Sequence, residues 1–186
     1  MKSFKTLTLI LSCVGLLTIT NGFSQTKMVG GAAMYPSKDI VSNAVNSKDH
    51  TTLVAAVKAA GLVETLQGKG PFTVFAPTNS AFEKLPDGTV ATLLKPENKS
   101  KLQGVLTYHV VAGKYSAKDL MKWIKKGKGM AELNTVNGDT LTAMMDNGKI
   151  MIKDGMGNVS TVTIADVNQS NGVIHVVDTV VLPSTK

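Results

Sequence analysis

Three histidines, His50, His109 and His175, supply all the imidazole chemistry of this 186-residue chain. His109 and His175 lie in strand-like apolar runs, Tyr108-His109-Val110-Val111 and Val173-Ile174-His175-Val176-Val177. If the fold brought the two rings together, they would form the start of a metal-binding or hydrolytic site. Such a site needs a third ligand or a nucleophile. The sequence contains no His-x-His, no His-Glu-x-x-His and no Gly-x-Ser-x-Gly, and its one cysteine, Cys13, lies in an N-terminal apolar stretch. A histidine among valines is ordinarily a buried, hydrogen-bonded core residue, and His50 is expected at the start of a surface helix. The expectation is therefore no catalytic residue, no metal site and no cofactor, with a His109–His175 site kept as the second alternative.

The other chemically distinctive stretch is Met121-Lys122-Trp123-Ile124-Lys125-Lys126-Gly127-Lys128. On a helix, Leu120, Trp123 and Ile124 share one side and Lys118, Lys122, Lys125 and Lys126 take the other. Lys122, Trp123, Lys125, Lys126 and Lys128 are thus candidates for a basic aromatic patch. Its targets would be acidic glycan or lipid headgroups. The whole chain carries a formal charge of +7, and all twenty basic residues are lysine. That balance favours anionic partners such as acidic polysaccharide, while the absence of arginine removes the bidentate fork used to read phosphate and guanine, so nucleic acid is not expected. Methionines recur at 121, 130, 144, 145, 151 and 156. Thioethers bind copper(I), but the spacing follows no repeat, and filling an adaptable apolar face is the plainer role. Such a face would also admit an elongated apolar ligand.

These residues must be positioned by elements whose limits the sequence suggests. Lys2 and Lys5, an apolar run from Leu7 to Ile19 and the small residues Gly22 and Ser24 have the layout of a secretory leader, residues 1–24. Residues 25–34, with Gly30-Gly31, read as a flexible lead-in; one domain is expected over 35–183 and a tail over 184–186. No later stretch suggests stable membrane insertion. From Tyr35 to Ile124 helical signals dominate, at 39–46, 51–60, after Pro77, 89–94, 97–106 and from Ser116, with strands at 72–76 and 108–111. From Ala131 the period becomes strand-like, with runs at 132–136, 140–145, 149–153, 161–166 and 173–181. They are divided by Asn137-Gly138, Asn147-Gly148, Asp154-Gly155 and Asn171-Gly172, dipeptides that accept positive φ in tight hairpins. Helices first and hairpins later predict an α+β fold with a largely antiparallel sheet.

Two segments carry a resemblance. They are Thr73-Val-Phe75-Ala76-Pro77-Thr78-Asn79-Ser-Ala-Phe82 and Asn171-Gly172-Val-Ile-His175-Val-Val-Asp178-Thr-Val-Val-Leu-Pro183, with Tyr108-His109-Val-Val-Ala-Gly113 between them. Together they resemble the signature of the fasciclin-like (fasciclin I) domain, here of a bacterial secreted single-domain type. The resemblance implies a wedge-shaped antiparallel β-sandwich with flanking helices, the helices mostly in the N-terminal half. It also implies that Thr73, Phe75, Ala76, Pro77, Thr78, Asn79, Phe82, Asn171, Gly172, His175 and Asp178 mainly hold the fold together. By the same resemblance Tyr108, His109 and Val110 become candidate partner-binding residues. The function expected is an exported, non-catalytic adhesion module, periplasmic or extracellular, that associates with a cell-surface or matrix protein or acidic polysaccharide. A carrier of a carotenoid or lipid is the first alternative.

Overall fold

The computed structural model describes residues 25–184; the expected leader, residues 1–24, lies outside them. The chain begins with a hairpin of β1 (Lys27–Val29) and β2 (Ala32–Met34). There follow α1 (Ile40–Ala44), a 3-10 turn (Lys48–His50), α2 (Thr51–Ala60) and α3 (Val63–Gln67). β3 (Phe72–Pro77) then enters the main sheet, and α4 (Asn79–Glu83), α5 (Thr89–Leu93), α6 (Lys99–Tyr108), β4 (Val110–Ala112) and α7 (Ala117–Lys126) come next. The last third is β5 (Met130–Asn134), β6 (Thr140–Asp146), β7 (Lys149–Lys153), β8 (Val159–Gln169) and β9 (Gly172–Val177).

Local chemistry explains most boundaries. α2 presents Leu53, Ala56, Val57 and Ala60 on one buried stripe and stops at Gly61, whose φ of 70° suits a residue without Cβ. Asp39 caps α1 by accepting from the Ser42 amide at 2.9 Å. Asn147 and Gly148, with φ of 47° and 77°, close the β6–β7 hairpin as a two-residue turn with positive φ at both positions.

The seven strands of the main sheet run β4-β3-β9-β8-β7-β6-β5. Every neighbouring pair is antiparallel except β3–β9, which is parallel with Phe75 opposite His175. The sheet curls until its ends approach: Val111 bridges Thr135, and the Val136 amide donates to the Val110 carbonyl at 2.8 Å. Closure in this way leaves less free strand edge. One core lies inside the curl, where Phe75, Leu141, Ile152 and Val177 meet Leu120 and Ile124 of α7. A second lies between the other face of β3 and β9 and the helices, joining Val74, Ile174 and Val176 to Ile40, Leu53, Ala56 and Leu106. Each large side chain so buried contributes about 1.5–3 kcal/mol.

Two expectations about organisation are corrected. Residues 25–34 are not a flexible lead-in: β1 and β2 pair antiparallel, and Val29 and Met34 are buried in the helical core. Gly30 and Gly31 serve as the turn, both at positive φ. Tyr108 is not in a strand either. It is the last residue of α6, and pairing begins only at Val110.

Candidate functional site

The signature residues act as staples between elements that are distant in sequence. The Asn171 side chain accepts from the Ile40 amide at 3.0 Å and donates to the carbonyls of Leu66 and Gly68 at 2.8 and 2.9 Å. Gly172 is pressed so closely on β3 that a Cβ there would meet the Phe72 carbonyl oxygen at 2.1 Å. Thr73 donates to the Gly113 carbonyl at 2.8 Å and accepts from the Tyr115 amide at 2.9 Å. After Pro77 ends β3, Thr78 caps α4, while Asn79 accepts from the Thr52 amide at 3.0 Å and donates to the Lys48 carbonyl at 2.9 Å. Phe82 packs in the helical core and Asp178 accepts from the Thr161 amide at 2.8 Å.

His175 belongs to the same frame, and through it the frame reaches α7. Its ring stacks on Phe75 with centroids 5.7 Å apart. Nε2–H donates to the Tyr115 carbonyl at 2.9 Å and Nδ1 accepts from the Asp166 amide at 3.3 Å. Asp166 sits at an irregularity of β8 with φ of 55°, and its carboxylate accepts from the Ala117 amide at 2.7 Å, at the first residue of α7. Ser116 and Asp119 add a reciprocal capping box at the same end. Burial pushes the His175 pKa down, with the Tyr115 bond opposing it.

α7 is thereby anchored at its N-terminus and along one face. Ala117, Leu120 and Ile124 are buried, and Trp123, half-buried, tilts against Tyr115 with ring centroids 4.6 Å apart. Lys118, Lys122, Lys125, Lys126 and, just beyond the helix, Lys128 are all exposed. None of them forms an ion pair among the described residues; the ion pair observed elsewhere, Lys84–Asp178, is 3.9 Å long. The arrangement is a rigid row of solvated ammonium groups that can attract an anionic polymer without specifying its sequence. Trp123 therefore serves mainly as the anchor under the lysines.

Tyr108, His109 and Val110 stand in a different position from the one expected of partner contacts: all three are buried. The Tyr108 hydroxyl donates to the Thr140 carbonyl at 2.9 Å and accepts from the Gly155 amide at 2.8 Å. His109 Nδ1–H donates to the Val105 carbonyl at 2.8 Å, and Nε2 accepts from the Val181 amide at 3.2 Å. Full burial pushes the His109 pKa down to about 4, so its ring is neutral at physiological pH. Together these bonds fasten the end of α6 to β6, the β7–β8 connection and the C-terminal segment. They also correct the His109–His175 alternative, because all four ring nitrogens already bind backbone groups and none is left to ligate or abstract a proton. Among the described residues no cluster of three or more His, Cys, Asp or Glu has metal-binding geometry.

His50 is also buried rather than on a surface helix. Its Nδ1 lies 2.8 Å from Ser47 Oγ, whereas Nε2 has the Ala76 carbonyl nearby but no hydrogen bond of proper geometry. The ring borders an apolar cavity walled by Val29, Met34, Ile40, Leu53, Val57 and Ile174. The cavity volume is about 60 Å³. That is less than half of the roughly 150 Å³ that accepts a benzene ring.

Comparison with known proteins bears on this geometry. The profile described as Fasciclin domain matches residues 48–183. Protein sll1483 of Synechocystis sp. is 48% identical over 159 residues, covering 86% of this chain and 81% of the relative. Transforming growth factor-beta-induced protein ig-h3 of Sus scrofa is 37% identical over 136 residues, 70% of this chain but 17% of that larger protein. Among solved structures, a FAS1 domain pair from the insect cell adhesion molecule Fasciclin I superposes with a TM-score of 0.68 at 20% identity, covering 80% of this chain. This chain spans about half the length of that pair, 51%.

Proposed function

The chain belongs to the fasciclin domain family, and on that premise we propose that it is an exported, non-catalytic binding module. Attachment to cell-surface or matrix components runs through the lysine face of α7, with acidic polysaccharide as the partner class. The observation that carries this reading is the exposed row Lys118, Lys122, Lys125, Lys126 and Lys128, free of ion pairs among the described residues though Lys118 and Lys122 lie in the field of Asp119, on a helix locked in place from below. Export is supported by the leader-like residues 1–24. The structural relative Fasciclin I is an insect cell adhesion molecule. The test is retention on an immobilised polyuronate at physiological salt. Charge reversal at Lys122, Lys125, Lys126 and Lys128 together abolishes retention under this reading; unchanged retention overturns it.

Carriage of an apolar ligand has one observation behind it, the cavity beside the orphaned His50 Nε2. At about 60 Å³ the space does not admit a carotenoid or a lipid chain unless the β1–β2 hairpin lifts away. Protein purified from its native host, read by absorbance and mass spectrometry, tests it: a stoichiometric pigment or lipid supports carriage, and a clean apoprotein removes it.

A further inference from the structure

The strand register does something with methionine that spacing along the chain conceals. Met130 of β5 lies opposite Met144 of β6, and Met144 lies opposite Met151 of β7. The three therefore stand side by side on adjacent strands. They share the outer face of the sheet, because their neighbours Leu133, Leu141, Ala143, Ile150 and Ile152 take the inner one. Met130 is 58% exposed, and Met144 and Met151 are half-buried.

We propose that this row is a thioether site for a soft monovalent cation, copper(I). Residues directly opposite in an antiparallel pair have Cβ atoms about 4.5–5.5 Å apart. Each outer methionine thus needs to lean by about one strand spacing, roughly 4.8 Å, to bring its sulfur over Met144. Methionine has three rotatable side-chain bonds and a polarisable sulfur, so the lean costs little on an uncovered face. Three thioethers converging above Met144 offer a soft, neutral donor set, which selects copper(I) over zinc, magnesium or calcium.

Two further features favour ligation over simple gap filling. The row lies outside both cores, so there is no cavity for these side chains to fill. Its flanks are polar, with Glu132, Thr142 and Lys153 on one side and Asp146 opposite Lys149 on the other, so the row is not part of a wider apolar patch. Thiolate and imidazole competitors are also scarce. Residues 25–186 contain no cysteine, and His109 and His175 spend their ring nitrogens on backbone groups.

The experiment is an anaerobic copper(I) titration of the full chain carrying Cys13→Ser, in competition with a chromophoric copper(I) chelator. Selective ¹³C labelling of the methionine methyl groups reports which sulfurs respond. One equivalent is expected to shift the methyl resonances of Met130, Met144 and Met151 while leaving Met28 and Met121 unmoved. Met144→Leu, which keeps volume and apolarity, lowers affinity by at least about tenfold, since even an outer-shell change costs that much at a metal centre. Met121→Leu serves as the matched control and leaves affinity unchanged. Absence of competition with the chelator, equal shifts at every exposed methionine, or full affinity in Met144→Leu overturns the proposal.

Discussion

Acid titration tests most sharply whether His109 is part of the frame. Its ring is neutral in the fold, donating from Nδ1 to Val105 and accepting at Nε2 from Val181. Protonation places a charge in a fully buried site, which is why the pKa falls from 6.5 to about 4, and it also removes the acceptor that the Val181 amide uses. In the unfolded chain the ring takes up its proton near pH 6.5. Between the two values the unfolded state holds one more proton, so stability is complete above pH 6.5 and declines as pH falls toward 4. At about 1.4 kcal/mol per pH unit, this histidine alone removes about 2 kcal/mol by pH 5. His175 and His50 are depressed in the same direction, again chiefly by burial, and steepen the fall. Asp39 is depressed as well, by its hydrogen bonds to Ser42 and Val41 acting against the opposing effect of burial, and acts at lower pH. The assay is urea denaturation at pH 7, 6 and 5. Wild type is expected to lose at least about 2 kcal/mol between pH 7 and 5. His109→Gln is expected to be less stable at pH 7 but to lose about one proton's worth of slope. A flat profile in wild type, or an identical slope in His109→Gln, would refute the reasoning.

Three further substitutions probe the frame. Gly172→Ala drives a Cβ to 2.1 Å from the Phe72 carbonyl oxygen; a loss of about 3 kcal/mol is expected in denaturant midpoint, from overpacking against backbone that cannot give way. Gly104→Ala is the counter-case, because beyond its chain neighbours and the surrounding turn of α6 backbone no atom lies within 4 Å of its Cβ position, so a gain of about 0.5–1 kcal/mol is expected by thermal melt. Asn171→Ala strands the Ile40 amide and the carbonyls of Leu66 and Gly68. It should cost about 2–4 kcal/mol, with hydrogen exchange rising first at Ile40.

What was legible beforehand divides by range. Several signals confined to a few residues read correctly: the helix over 51–60, the helix from Ser116 and the hairpin turn at Asn147-Gly148, whereas Asp154-Gly155 and Asn171-Gly172 place no residue at positive φ. The lysine face of α7 was equally local, since residues three and four apart share a side. Features set by distant partners did not read. Nothing in Phe72–Pro77 reveals that β9 will lie beside it in parallel, and Tyr108 looks like a strand residue until α6 is seen to run through it. Gly30-Gly31 suggested a linker, because the turn chemistry was visible and the burial of Val29 and Met34 was not. Half of the methionine row was within reach. A two-residue turn at Asn147-Gly148 sets Asp146 against Lys149, and counting back sets Met144 against Met151. Met130 joins them only through the longer Thr135–Asp139 connection, whose register no local rule supplies.

Under the proposed function, α7 binds anionic polymer because of where its lysines sit, apart from the charge of the whole molecule. Each exposed lysine facing an anionic surface contributes about 0.5–1 kcal/mol at physiological salt. Losing four weakens binding roughly 30- to 1000-fold before any repulsion from the new carboxylates. The most direct measurement is polyuronate affinity for two variants of identical net charge. One carries Glu at Lys122, Lys125, Lys126 and Lys128; the other carries Glu at Lys48, Lys69, Lys95 and Lys101, which are exposed on the helical half. The first is expected to lose binding by at least about thirtyfold while the second loses less than about a tenth as much. Equal losses in the two variants would contradict it.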